Sequence, residues 1–154
     1  MISIWTDDCS NNNIPMLLLL LEFGAGEDIA TKAVLRPDST PEYIDFALEH
    51  GANLETPFYN GTVLSIAAYS GQLKSVRHYI HRGANVNAPS LTPDAKPGDH
   101  YNTGETPLHR ATFCKMSLRG PIDEDVYNKA FNGIVRALIE AGADVNAQTN
   151  RNAP

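Results

Sequence analysis

Residues 135–147 read VRALIEAGADVNA, an apolar stripe that runs into a glycine. Val135, Leu138 and Ile139 precede Gly142 by seven, four and three residues, so they share one face of an α-helix. A glycine directly after such a stripe supplies the left-handed residue with which many helices end. The stretch therefore predicts a helix that stops at a defined residue.

The same pattern of helix and stop occurs three more times. The other glycines are Gly24, Gly51 and Gly83, and each is followed by alanine. The residues three, four and seven positions before each of them are all apolar, namely Leu21, Leu20 and Leu17, then Leu48, Ala47 and Ile44, then Ile80, Tyr79 and Val76. The chain repeats one unit, so its function has to be sought in an array rather than in a pocket.

A second recurring segment precedes the helix in two of these units. Residues 106–111 read TPLHRA and align with residues 62–67, TVLSIA, so that threonine, leucine and alanine coincide. Threonine is a good helix N-cap, and Pro107 suits the first position of a helix. Each segment therefore predicts a first helix, with Gly71 in the turn that leads to the second. Residues 30–35 are predicted to be a degenerate copy.

TPLHRA, followed by a helix and then GADVNA, resembles the ankyrin repeat, whose T-P-L-H-x-A signature has the same form. The resemblance implies an all-α solenoid of stacked antiparallel helix pairs with β-hairpin or loop fingers. It covers the chain from about Pro15 to the C-terminus. The implied organisation is an N-terminal arm (1–14) and a repeat domain (15–154), divided into a half repeat (15–26), a degenerate repeat (27–54), a repeat (55–87), an enlarged repeat (88–147) and the start of a further repeat (148–154).

Two insertions enlarge the third full unit. The first, of about 12 residues near 89–100, is rich in proline and predicts an extended loop in a finger. The second, of about 15 residues near 115–131, lies between the two helices and continues the apolar spacing of the second one. We expect residues 123–140 to form one lengthened helix, although Gly133 is unfavourable inside it, and the first helix to extend toward Leu118.

Composition limits the possible partners and locations. The net charge is −6 and the pI is near 5.2, which argues against nucleic acid or an anionic membrane as the main partner. Lys and Arg are scattered along the sequence. Cys9 and Cys114 show no paired spacing, which indicates reduced thiols in the cytoplasm. The apolar run at residues 16–21 is too short to cross a bilayer.

The sequence contains no convincing catalytic or metal-binding constellation. The resemblance implies that His109 is structural, and His78 and His81 lack a third ligand at a suitable spacing. Loop solubility accounts for Asp99 and His100, and helix capping accounts for the acidic run at 123–125. We therefore expect no catalytic residue, no metal site and no cofactor, and a protein that is not an enzyme.

The resemblance implies a partner-binding surface at the finger tips and on the exposed face of the first helices. Transferred to this sequence, that surface is rich in aromatic side chains, which often dominate interface energetics. Its predicted residues are Phe58, Tyr59, Tyr69, Ser70, Tyr101, Asn102, Thr103, Glu105 and Phe113. An open alternative is that the insertions fold back and cover some of these aromatics.

The sequence thus predicts a monomeric, cytoplasmic scaffold that binds a protein partner and neither binds nucleic acid nor inserts into a membrane. An alternative is that it forms the targeting or substrate-recruiting part of a longer enzyme, or of a secreted bacterial effector acting in host cytoplasm, whose catalytic part lies beyond residue 154. A third possibility is a small-ligand groove in the second insertion, walled by Met116, Leu118, Tyr127 and Phe131.

Overall fold

The computed structural model describes residues 18–19, 22–24, 39–56, 61–90, 104–112 and 124–149. Five helices have both ends within these ranges: α1 (Pro41–Glu49), α2 (Val63–Tyr69), α3 (Leu73–His81), α4 (Pro107–Thr112) and α5 (Glu124–Glu140). Residues 18–19 and 22 are also helical. The same ranges contain no β-strand, which agrees with the predicted all-α class. The chain divides into two compact units, residues 1–53 and 54–154.

In the first unit, α1 begins and ends at sequence-encoded signals. The hydroxyl of Thr40 accepts a hydrogen bond from the backbone N–H of Tyr43 at 3.4 Å, and Pro41 takes the first helical position. Tyr43, Ile44 and Ala47 form its buried face. The helix therefore buries the stripe that its spacing from Gly51 predicted.

The predicted stop glycines adopt the left-handed conformation. The φ angles are 78° at Gly24, 91° at Gly51, 87° at Gly83 and 91° at Gly142. After α3, the N–H groups of Gly83 and Ala84 donate to the carbonyls of Ile80 and Tyr79, both at 3.0 Å. This double hydrogen bond is the Schellman motif, and it recurs after α1 and α5. The helix-and-stop prediction is confirmed.

The second unit contains two successive pairs of helices. The short turn Ser70–Gly71–Gln72 joins α2 to α3, and Gly71 has a φ of 74° as its predicted role requires. In each pair the first helix packs against the second, and each element also packs against its counterpart, α2 on α4 and α3 on α5. The core comes from completely buried side chains, chiefly Leu64, Val76, Tyr79, Ala111, Ile134 and Leu138.

The lengthened second helix is confirmed, because α5 spans Glu124–Glu140 where residues 123–140 were predicted. The structure also accounts for Gly133. A Cβ atom at this position would lie 2.8 Å from Cδ2 of Leu73, so the missing side chain lets α5 approach α3 closely. The extension of the first helix toward Leu118, the N-terminal arm, the degenerate helix at 30–35 and most of both insertions lie outside the described residues.

Candidate functional site

The structure describes three of the nine predicted partner-binding residues. Tyr69, Ser70 and Glu105 all belong to the second unit. The other six, Phe58, Tyr59, Tyr101, Asn102, Thr103 and Phe113, lie outside the described residues. The geometry of the site is therefore built from the first group and from what surrounds it.

Tyr69 lies at the end of α2 and is an exposed aromatic side chain, with 38% of its surface accessible. The guanidinium carbon of Arg110 lies 5.5 Å from the centre of its ring. A cation at this distance from an aromatic face is attracted by the ring quadrupole. Because Arg110 is on α4, the contact joins the first helices of two successive repeats into one surface.

Glu105 differs from the expectation that it contacts a partner. Its side chain is only 3% exposed, and Oε2 lies 3.4 Å from Nη1 of Arg110, whose side chain is 18% exposed. A carboxylate buried to this degree needs a charged or hydrogen-bonding partner to offset the loss of hydration. The ion pair with Glu105 therefore fixes the position of Arg110. Glu105 itself offers almost no accessible surface to a partner.

Arg110 is the residue that sequence reasoning missed. It occupies the variable position of the TPLHRA segment, which carries no expectation of its own. The opposite charge of Glu105, just before the start of α4, was the available signal. Only the packing of α4 on α2 brings the guanidinium over the ring of Tyr69.

Ser70 follows Tyr69 and caps α2. Its backbone N–H donates to the carbonyl of Ile66 at 2.9 Å, and its side chain is half-buried. The main role shown for this residue is to end the helix and start the turn to α3.

Backbone hydrogen bonds join the described residues on either side of the finger insertion, Ser90 and Gly104–Glu105. The N–H of Ser90 donates to the carbonyl of Glu105 at 2.8 Å, and the carbonyl of Ser90 accepts from the N–H of Gly104 at 3.3 Å. Gly61 packs against this junction, where a Cβ atom would lie 3.2 Å from that of Ser90. Ser90 and Gly104 are thus held together next to the buried Glu105.

His109 has a structural role, as the resemblance implied. The backbone N–H of Thr106 donates to Nδ1 of His109 at 3.3 Å, and the Thr106 hydroxyl lies 2.9 Å from the same nitrogen. The contacts close the first turn of α4 on itself. His78 and His81 have ring centres 6.5 Å apart, and the described residues contain no group of three side chains suited to hold a metal ion.

Two segments of the sequence match the family model of the ankyrin repeat, residues 59–91 and residues 103–150. Together they cover more than half of the 154 residues, and they contain the two helix pairs α2–α3 and α4–α5 with their stop glycines Gly83 and Gly142. The chain belongs to the ankyrin-repeat family. No curated protein matches it.

Ankyrin repeats are generally protein–protein interaction modules, and the family is typically a non-catalytic scaffold. In this ankyrin-repeat chain, the described part of the first-helix surface centres on Tyr69 and Arg110. None of the described helices combines the length and the apolar character needed to cross a bilayer.

Proposed function

We propose that this ankyrin-repeat chain binds a protein partner through its finger tips and its first-helix face and carries out no chemistry of its own. Tyr69 and Arg110 form the centre of the proposed contact surface, and the buried Glu105 forms an ion pair with Arg110. The other proposed contact residues are Phe58, Tyr59, Ser70, Tyr101, Asn102, Thr103 and Phe113.

The observation that carries this proposal is the contact between the exposed ring of Tyr69 and the guanidinium of Arg110, which is itself paired with Glu105. Tyrosine and arginine are enriched among the residues that dominate binding free energy. Here the guanidinium already lies 5.5 Å from the ring centre and is held by a buried carboxylate. A partner would therefore meet a surface whose side chains lose little conformational freedom on binding.

The proposal can be tested by photo-crosslinking in cells that contain the natural partner. A benzoylphenylalanine at position 69 is expected to crosslink a discrete protein, whereas the same group at position 129 is not. Lys129 is a suitable control because it is exposed on α5, away from the first helices. Equal yields of the same product from both positions would contradict the assigned face.

Substitution of the same side chains gives an independent measurement. Tyr69→Ala should weaken capture of the crosslinked protein by at least tenfold, because aromatic anchors commonly contribute about 2 kcal/mol. Lys129→Ala serves as the control. Undiminished capture by Tyr69→Ala, with an unchanged melting curve, would show that the partner uses another surface.

A second candidate function is that of a targeting or substrate-recruiting part of a longer enzyme or secreted effector. The observation that favours it is Val145, which is 63% exposed, whereas Leu54 at the corresponding position of an earlier unit is 9% exposed. An apolar side chain at this position is of the kind that a neighbouring repeat covers. Reading the gene beyond the codon for Pro154 tests this candidate, and an immediate stop codon would exclude it.

The proposed state is a monomer in the cytoplasm, or in host cytoplasm if the chain belongs to an effector. Sedimentation equilibrium checks the first statement and fractionation of cells checks the second. A concentration-dependent increase in mass would contradict the monomer.

A further inference from the structure

The helix α3 carries basic residues along its outer side. Lys74, Arg77 and His81 are all exposed and follow one another at intervals of three and four residues, which places them on a single stripe. The opposite side of the helix buries Val76 and Tyr79. No acidic residue interrupts α3, so this stripe is cationic within a chain of net charge −6.

The neighbouring helix extends this charge. Arg136 precedes Gly142 by six residues, as Arg77 precedes Gly83, and it is also exposed. The helices α3 and α5 pack together nearly in register, since Gly133 faces Leu73 at the equivalent level. Lys74, Arg77 and Arg136 are therefore exposed on two packed helices at similar levels, and we call them the outer cationic face.

The charges of this face are not neutralised within the described protein. Lys74, Arg77 and Arg136 form no ion pair with any residue in the described ranges, in contrast to Arg110, which pairs with Glu105. The acidic side chain nearest to Arg136 in sequence is Glu140, one helical turn further along α5, and Asp144 lies in the turn beyond it. Positive charges that form no ion pair repel one another, so an anionic partner would gain favourable electrostatic energy by binding to them.

We propose that the outer cationic face binds a short acidic segment of a partner protein. The stripe from Lys74 to His81 is about 10 Å long at the rise of an α-helix. Alternate side chains of an extended peptide recur about every 7 Å, so two carboxylates fit along this length. Arginine pairs with carboxylates through two parallel hydrogen bonds, which suits Arg77 and Arg136 to such a ligand.

A short acidic segment fits this face better than a membrane or a nucleic acid. Both of those present negative charge over an area far larger than the outer cationic face. Docked here, they would also approach Glu140 and Asp144, and the remainder of the chain is acidic overall. A short acidic segment can contact the outer cationic face alone, so it avoids repulsion by the acidic remainder of the protein.

The test uses a fluorescein-labelled peptide that alternates glutamate and serine, with a glutamine-and-serine peptide as the neutral control. Binding is followed by fluorescence anisotropy at low salt. The combined variant Lys74→Gln/Arg77→Gln/Arg136→Gln is expected to weaken binding of the acidic peptide at least tenfold, in line with three exposed ion pairs. Arg77→Gln alone should weaken it about threefold.

Several outcomes would overturn the proposal. Equal affinity of the triple variant and the parent, or no binding of the acidic peptide by the parent, would show that the face is merely solvated. Tighter binding of single-stranded DNA or of phosphatidylserine vesicles than of the acidic peptide would assign the face to another class of ligand. Circular dichroism melts of all variants exclude unfolding as the cause of any loss.

This face is separate from the proposed first-helix site, and the two can fail independently. Tyr69→Ala should bind the acidic peptide as the parent does while losing its crosslinked partner. Loss of peptide binding in Tyr69→Ala would show that the acidic segment uses the first-helix site, and would overturn the outer cationic face without affecting the proposed function.

Discussion

The side chain of Asn87 joins its own repeat to the next one across 57 residues of sequence. Its Oδ1 accepts a hydrogen bond from the backbone N–H of Asp144 at 2.8 Å, and its Nδ2 donates to the carbonyl of Gly142 at 3.1 Å. Glu55 makes the equivalent contact one repeat earlier, where its carboxylate accepts a hydrogen bond from the backbone N–H of Asn85 at 2.7 Å. The connection between successive repeats is therefore kept in the repeat whose sequence is enlarged.

Loss of this connection should destabilise the array. Asn87→Ala removes two hydrogen bonds and is expected to lower the free energy of unfolding by about 1 to 2 kcal/mol. Urea denaturation measures the change. Asn146→Ala is the matched control, because Asn146 occupies the corresponding position and its side chain has no partner among the described residues. Equal losses in the two variants would contradict the role of Asn87.

The stop after α3 should tolerate few side chains. Gly83 has a φ of 87°, and a Cβ atom there meets no atom within 4 Å, so the cost of substitution is backbone strain and not a clash. Gly83→Val should lower stability by about 1 to 2 kcal/mol, since a β-branched residue is poorly suited to the left-handed region. Gly83→Asn should cost clearly less. Thermal melts that are identical for the parent and Gly83→Val would refute the assignment.

Gly133 and Leu73 should be energetically coupled. Alanine favours a helix over glycine by about 1 kcal/mol, but a Cβ atom at 133 would lie 2.8 Å from the tip of Leu73. We expect Gly133→Ala to give no gain in the parent and a gain of about 1 kcal/mol when Leu73 is already alanine. A double-mutant cycle by urea unfolding measures the coupling. Additive effects would show that Leu73 moves aside without cost.

The buried carboxylate of Glu105 should make Arg110 important for stability as well as for binding. Arg110→Met leaves a side chain that is 3% exposed without the cation beside it, and we expect a loss of about 2 kcal/mol. Adding Glu105→Gln to Arg110→Met should recover part of that loss, because an amide is less costly to bury than a carboxylate. Arg136→Met, which removes an exposed arginine, is the control and should change stability little. A similar loss in both arginine variants would argue against the pairing.

Prediction from sequence succeeded where the structure depends on neighbours along the chain. The stop at Gly142 and the start at Pro107 rest on backbone conformations that a few adjacent residues decide. The length of α5 followed from its apolar period, and the local role of His109 followed from the family resemblance. The exposed first-helix surface could be predicted only in part, since Glu105 was expected on it and is buried, whereas Arg110 was not expected there.

The sequence by itself determined the helices, their ends and the repeating unit, because each of these depends on side chains and φ angles within about one turn. Only the tertiary structure decided that Glu105 is buried, that Arg110 lies over Tyr69, and that Gly133 faces the tip of Leu73. It also packs α3 against α5, the helices that carry the exposed Arg77 and Arg136. The physical reason is that burial and charge proximity depend on which segments of successive units stack, and residues such as Asn87 and Asp144 meet across dozens of positions.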